Sequence, residues 1–288
     1  GMSQPRNDGL LRLARNFPME HHSIRELSIG IKGAGEMASA IAWRLYMANI
    51  RKIFMMEIPR PLAVRRGVCF CEAIYDRCKT VEGVEAIKAD SVDGVGEIWN
   101  EGEIAVLVDP GWISREKLQP NVILDAILAK KNLGTTRTEA GLVIGLGPGF
   151  VAGSDVHMVI ETNRGHNLGR IITSGSAEAD TGVPGDIGGY TQERVLRAPA
   201  GGVFRTGKAI GESVKTGEVV GEVAGIEIRT RIGGVIRGLI RSDIKVTEGM
   251  KLGDIDPRGD RSYCYTISDK ARAIDGSALE AILRTCNL

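Results

Sequence analysis

Aromatic residues, net charge and long apolar runs are all scarce in this sequence of 288 residues. Aromatic residues make up 5% and the formal net charge is +1, so nothing favours electrostatic capture of nucleic acid or of an anionic membrane. No apolar run approaches the ~18 residues of a membrane span, and no secretory signal pattern is recognisable. The composition therefore predicts a cytoplasmic protein without nucleic-acid or membrane partners.

Cysteine is sparse as well, and its five copies are irregularly spaced. Such spacing does not form a disulfide framework. Cys69, Cys71 and Cys78 are close in sequence, but there is no C-x-x-C pair, and structural zinc usually needs four ligands at defined spacing. We therefore expect ordinary buried cysteines and no metal site.

Glycine is abundant instead, with 38 residues, and its most informative copies lie within residues 27–57. An apolar run at 27–31 predicts a buried strand, and residues 33–38 (Gly-Ala-Gly-Glu-Met-Ala) match the G-x-G-x-x-G/A pattern. A helical segment follows, and residues 52–57 predict a second strand. Strand, glycine turn, helix, strand and terminal acid form the context of a dinucleotide-binding site.

The chemistry of this stretch explains the prediction. Gly33 allows a tight turn, and Gly35 lets a pyrophosphate approach the backbone, where the first amides of the helix attract phosphate. Glu57 follows at about the spacing of 20 residues at which an acid accepts from ribose hydroxyls. The predicted cofactor-binding residues here are Gly33, Ala34, Gly35, Glu36 and Glu57. The alternative is a structural glycine turn with no bound nucleotide.

Strands alternate with helical pieces along residues 25–190, which predicts a Rossmann-like, mostly parallel sheet. A second glycine loop at 145–149 follows one of these strands. Because ligands bind beyond the carboxyl ends of parallel strands, Gly147 and Gly149 are predicted to lie opposite the first loop. The alternative is a turn without ligand contact.

Residues 155–161 and the turn after them hold the best cluster of chemical groups. In a strand, Asp155, His157 and Glu161 would share one face, and together with His166 they are the candidates for proton transfer. Arg164 is predicted to help hold an anionic cofactor. The alternative is a solvated strand face that carries a paired surface histidine and has no catalytic role.

An internal repeat marks the C-terminal part, where residues 201–223 and 233–255 share a pattern of glycines and valines. Two similar halves predict a small all-β barrel-sandwich hybrid of the biotinyl or lipoyl type. The tip at 224–227 has no lysine, so a swinging-arm carrier is not expected. The predicted organisation is a tail at 1–24, the Rossmann-like domain at 25–190, the hybrid domain at 191–260 and a segment with a helix at 261–288.

Together these motifs resemble the YqeB family of the selenium-dependent molybdenum hydroxylase system. The resemblance covers nearly the whole chain from about residue 25. The stretches that carry it are Lys32–Gly35, Glu57 with Pro61 and Val64–Arg66, Asp125–Ile127 with Lys130 and Asn132, Gly145–Phe150, Asp155–His157, Glu161–His166, Gly238–Arg241 and Asp256–Gly259.

The resemblance implies an accessory or maturation role, with a molybdenum hydroxylase and other maturation factors as partners. A dinucleotide-type cofactor such as molybdopterin cytosine dinucleotide would suit the glycine loop, because it carries a pyrophosphate and a ribose. Two alternatives stay open, an NAD(P)-dependent oxidoreductase and a non-enzymatic scaffold that docks a hydroxylase. Self-association into a homo-oligomer is also left open.

Overall fold

A computed structural model describes residues 23–286, so most of the tail predicted at 1–24 lies outside the described residues. Nine strands between residues 28 and 172 form one large sheet. Its strands are β1 (Ser28–Lys32), β2 (Lys52–Glu57), β3 (Cys78–Val81), β4 (Val84–Ala89), β5 (Ile104–Val108), β6 (Val122–Asp125), β7 (Leu142–Leu146), β8 (Met158–Ile160) and β9 (Ile171–Ile172).

The strand order in this sheet is β3-β4-β5-β2-β1-β6-β7-β8-β9. All neighbours from β4 to β8 are parallel, whereas β3 and β9 pair antiparallel at the two edges. β1 lies in the middle between β2 and β6. The chain moves from β1 to β2 on one side and later crosses to β6 on the other. A crevice therefore opens beyond the carboxyl end of β1, where parallel sheets bind ligands.

Five α-helices accompany the strands among residues 23–286. They are α1 (Glu36–Met47), α2 (Ala73–Asp76), α3 (Val95–Asn100), α4 (Ser114–Leu118) and α5 (Asp269–Cys286).

Helices α1 and α5 cover one face of the large sheet. Met37, Ile41 and Leu45 recur every four residues along α1 and are buried against the sheet. Helix α5 contributes a similar stripe that includes Ile274 and Ile282, and it packs against α1 in the same core. The last helix in the described chain therefore completes the core that the first helix begins.

Residues 195–256 form two antiparallel sheets of four strands each. Their orders are β10-β17-β15-β12 and β14-β13-β11-β16. The strands are β10 (Val195–Arg197), β11 (Gly202–Arg205), β12 (Ser213–Val214), β13 (Val219–Val223), β14 (Ile226–Arg229), β15 (Gly234–Leu239), β16 (Ile244–Val246) and β17 (Lys251–Asp256).

The predicted fold class is wrong, because the structure has one large mixed sheet and two antiparallel sheets instead of a Rossmann-like domain and a barrel-sandwich hybrid. The connections from β6 to β7 and from β7 to β8 contain no helix, so the expected alternation of strand and helix stops halfway. The two repeats do not form separate halves either. β12 of the first repeat pairs with β15 of the second, and β16 of the second pairs with β11 of the first.

Two further observations concern residues 23–286 as a whole. No helix in this range combines the length and the hydropathy that crossing a membrane requires. All five cysteines are free; Cys69 and Cys71 are buried, whereas Cys78 is exposed.

Candidate functional site

The first glycine loop lies directly beyond the carboxyl end of β1. Gly33 has a φ of +90° and donates its N–H to the Met56 carbonyl at 2.8 Å. This left-handed conformation suits glycine and bends the chain out of the strand. Gly35 is extended, with a φ of −73°, and precedes α1 without a side-chain cap. The first amides of α1 are therefore available to an external acceptor.

The space around Gly35 is open. A Cβ placed on this residue would meet no other atom of the described chain within 4 Å. The adjoining cleft has a volume of about 490 Å3. Its walls include Met37, Met56, Leu62, Trp112, Leu128 and Leu133. The cleft is thus largely apolar, with backbone amides at one end, as in many small-molecule sites.

Glu57 lines the same cleft at the end of β2. Its carboxylate accepts the N–H of Ala34 at 2.8 Å and the N–H of Ile58 at 2.7 Å. Partial burial raises the pKa of Glu57 above its usual value. Glu57 therefore stabilises the glycine loop through its hydrogen bond with Ala34. Each carboxylate oxygen keeps a further lone pair that can accept from a hydroxyl group.

Glu36 ties the start of α1 to a distant part of the chain. Its Oε1 accepts from Arg65 Nη1 at 3.1 Å and from Ser268 Oγ at 3.0 Å. Glu36 also lines a second, polar cavity together with Met37. The apolar cleft and the polar cavity therefore share a wall.

A buried charged cluster lies under the glycine loop, and the sequence analysis did not identify it. Lys32 is fully buried, and its Nζ lies 2.7 Å from Glu139 Oε2 and 2.7 Å from Thr135 Oγ1. The Thr135 hydroxyl donates in turn to Asp125 Oδ2 at 2.6 Å. The ammonium also lies 3.9 Å from the ring centre of Trp112, which lines the cleft. The cluster therefore fixes the 125–139 segment to the end of β1.

Burial dominates the electrostatics of this cluster. It lowers the pKa of Lys32 and raises the pKa of Asp125. The sequence held one signal, since Lys32 and Asp125 are the charged residues that end two otherwise apolar strands. A charge at the end of a buried parallel strand favours a functional or network role.

Gly147 and Gly149 are packed against protein and do not line the cleft. Gly147 has a φ of +73°, and a Cβ there would lie 2.5 Å from Thr162 Oγ1. Gly149 has a φ of +110°, and a Cβ there would lie 2.6 Å from the Lys131 Cα. Pro148, between them, lines the polar cavity. Both glycines therefore allow close packing of the second loop.

Three of the four candidates for proton transfer lie at opposite ends of β8. The strand β8 covers only Met158–Ile160, so the expectation that Asp155, His157 and Glu161 share one strand face is corrected. Asp155 accepts from the Val151 N–H at 2.9 Å, and His157 Nδ1 accepts from the Val143 N–H at 2.9 Å.

Asp155 and His157 precede β8, whereas Glu161 follows it at the carboxyl edge. The three residues of β8 rise by about 10 Å. Sequence alternation predicted the grouping wrongly because it assumed a strand of seven residues, whereas the chain turns into β8 only at Met158. Burial lowers the pKa of His157.

The residues after β8 organise the second loop. Glu161 is 2% exposed and accepts the N–H groups of Asn163 and Glu178, each at 2.7 Å. Arg164 lines the polar cavity and forms a double hydrogen bond with Asp269 at 2.8 and 2.9 Å. His166 is exposed and does not line this cavity.

No family model matches the sequence. Over 263 residues, or 91% of this chain, the sequence is 46% identical to the uncharacterized protein YqeB of Escherichia coli (strain K12). The chain spans 48% of that protein's length. The chain is therefore YqeB-like, and the match says nothing about selenium or molybdenum.

Among solved structures, an aspartoacylase family protein of Mesorhizobium loti gives a TM-score of 0.23 at 12% identity, covering 74% of this chain and 58% of that chain. The ectoine utilization protein EutE of Ruegeria pomeroyi gives a TM-score of 0.23 at 10% identity, covering 79% and 56%. These similarities are too slight to support an argument about function.

Proposed function

We propose that this protein binds a dinucleotide-type cofactor at the first glycine loop and serves as an accessory or maturation protein for a selenium-dependent molybdenum hydroxylase. Molybdopterin cytosine dinucleotide is the cofactor that this role favours. The hydroxylase and other maturation factors would be its partners. The similarity to YqeB supports the family part of the proposal, and the cleft beside Gly35 supports the binding part.

The observation that carries the proposal is the open space beside Gly35. This cleft begins at the carboxyl end of β1, where the sheet order reverses. A pyrophosphate there would accept from the first amides of α1, and the apolar walls would cover a ring system. Glu57 would accept from a ribose hydroxyl. The residues present therefore fit a dinucleotide.

Gly35→Val tests this site without disturbing the fold. The backbone at Gly35 suits any residue, and the new side chain would project into the cleft. We expect the wild type to be stabilised by about 2.7 kcal/mol when a true ligand is present at 100 times its dissociation constant. A thermal-shift panel with CTP, CMP, ATP, NAD, NADP and NADPH should show this stabilisation in the wild type and not in Gly35→Val.

Gly207→Val is the matched control, since Gly207 is exposed, far along the chain, and equally open around its Cβ. Its shifts should equal those of the wild type. A cytidine-selective shift supports cofactor maturation. A nicotinamide-selective shift would replace the proposal by an NAD(P)-dependent oxidoreductase, and no shift with any nucleotide would leave a scaffold role.

A further inference from the structure

The polar cavity next to the cleft has a volume of about 650 Å3 and lies where the large sheet, the antiparallel strands and α5 meet. On one side are the residues that follow β8 at the carboxyl edge of the large sheet. On the other are side chains of β15 and β17, and the start of α5 closes a third side. The segment 178–187 forms the rest of the wall. This volume is typical of a site for a small molecule of nucleotide size.

Positive charge is in excess in this cavity, because its lining residues include seven basic and five acidic side chains. The excess is concentrated around Asp254, which is 1% exposed. Its Oδ2 accepts from Arg194 Nη1 at 2.9 Å and from Arg237 Nη2 at 3.2 Å. One carboxylate therefore serves two buried guanidinium groups, and the ammonium of Lys251 lies in the same field.

Two lysines of the lining have no side-chain partner among the described residues. Within residues 23–286, neither the Lys251 ammonium nor the Lys270 ammonium forms a hydrogen bond or an ion pair. Their burial, with repulsion from nearby arginines, lowers the pKa of both groups. The Nε atoms of Arg65 and Arg237, whose residues are 4% and 8% exposed, are also buried without an acceptor among the described residues.

Lys251 and Lys270 are half-buried, so each ammonium loses part of its water and no protein anion replaces it. Such an arrangement is expected where a ligand supplies the missing negative charge. The guanidinium groups of the lining arginines are paired with Asp254, Asp256 and Glu36. The two lysine ammonium groups are therefore the cations available to bind a ligand, as point charges.

We infer that the polar cavity binds a small phosphate-bearing molecule whose phosphate is held by Lys251 and Lys270. A phosphate carries close to two negative charges at neutral pH. It therefore matches the cavity's excess of two positive charges better than a carboxylate does. The inference goes beyond the proposed function, since Gly33, Gly35 and Glu57 take no part in this site.

Calorimetric titration of the full chain with inorganic pyrophosphate tests the inference. Lys251→Met and Lys270→Met keep the side-chain length and remove the charge. We expect each to raise the dissociation constant for pyrophosphate at least tenfold. Lys245→Met is the matched control, because Lys245 is exposed on β16 and does not line the cavity. Its dissociation constant should stay within twofold of that of the wild type.

Gly35→Val separates this site from the cleft: because the glycine loop is itself proposed to hold a pyrophosphate, the pyrophosphate binding that remains in this variant belongs to the polar cavity. If Lys251→Met fails to fold by circular dichroism, Lys270→Met decides. The inference is overturned if the wild type does not bind millimolar pyrophosphate, or if Lys245→Met weakens binding as much as the cavity variants do.

A saturating nucleotide that binds the cleft identifies the source of the phosphate. Competition with pyrophosphate would show that the phosphate belongs to the same ligand, since the two spaces share Glu36 and Met37. Independent binding would show a separate phosphate-bearing molecule. Either result supports the phosphate site when Lys251→Met and Lys270→Met also weaken pyrophosphate binding; competition without that loss would place the pyrophosphate at the glycine loop and overturn the inference.

Discussion

Lys32→Met is expected to lower the free energy of unfolding by about 3–5 kcal/mol, the usual cost of removing one partner from a buried ion pair. The ammonium of Lys32 forms an ion pair with Glu139 at 2.7 Å and donates a hydrogen bond to Thr135. Without it, Glu139, whose side chain is 5% exposed, loses its closest positive partner. Urea unfolding followed by circular dichroism measures the loss.

Lys52→Met is the matched control for this prediction, because Lys52 is exposed at the start of the neighbouring strand β2. Its effect should remain within about 0.5 kcal/mol. The double variant Lys32→Met/Glu139→Gln should recover part of the lost stability, because it also removes the Glu139 carboxylate that Lys32→Met leaves without its closest cation. Equal effects of Lys32→Met and Lys52→Met would show that the cluster contributes nothing to stability.

Asp275→Asn is expected to make the protein more stable at pH 7, by up to about 3 kcal/mol. Asp275 lies in α5 and is fully buried, and burial raises its pKa to about 6 although Arg44 Nε lies 2.8 Å from its Oδ1. The folded protein therefore holds this proton more tightly than the unfolded chain does. The asparagine mimics the protonated carboxyl and has no charge to bury.

The effect of Asp275→Asn on stability depends on pH. Because the folded-state pKa lies above the unfolded value of 3.8, the stability contributed by the proton is complete below pH 3.8 and is lost as the pH rises through about 6. The difference in free energy of unfolding between Asp275→Asn and the wild type should therefore grow from pH 4 to pH 7. Asp243→Asn, at a side chain that is 76% exposed, is the matched control. A difference that is flat with pH would contradict the assignment.

The region from β1 to β2 could be predicted closely from sequence. An apolar strand, two glycines and a helical stripe each carry a local signal, and the structure places β1, α1 and β2 where those signals lie. The loop geometry followed as well, because only glycine tolerates the turn at Gly33. Local sequence thus determines the entrance to the cleft.

The next segment shows where local signals fail. Residues 62–76 predict a second helix, yet the chain forms short 3-10 turns and a helix of four residues. Long-range contacts decide this shape, since the Cys71 N–H donates to the Ala34 carbonyl at 2.9 Å and the Phe70 N–H donates to Ser39 Oγ at 2.8 Å. Tertiary hydrogen bonds of this kind override helix propensity.

Neither the Lys32 cluster nor the polar cavity could be assembled from sequence. Thr135 is 103 residues from Lys32, and Asp254 is 60 residues from Arg194, so no spacing pattern links the partners. The tertiary fold, including the loops between strands, brings them together. The same limit explains why Asp155 and His157 were grouped with Glu161, because proximity in sequence was taken for proximity in space.

The packing of α5 on α1 has a consequence for how the chain reaches its structure. Arg44 and Asp275, which join the two helices, are 231 residues apart. During synthesis, the apolar face of α1 emerges long before the helix that covers it, and both antiparallel sheets are made in between. Contacts of such high sequence separation form late and slow folding. A chaperone that shields exposed apolar helices would therefore have a long interval in which to act on the nascent chain.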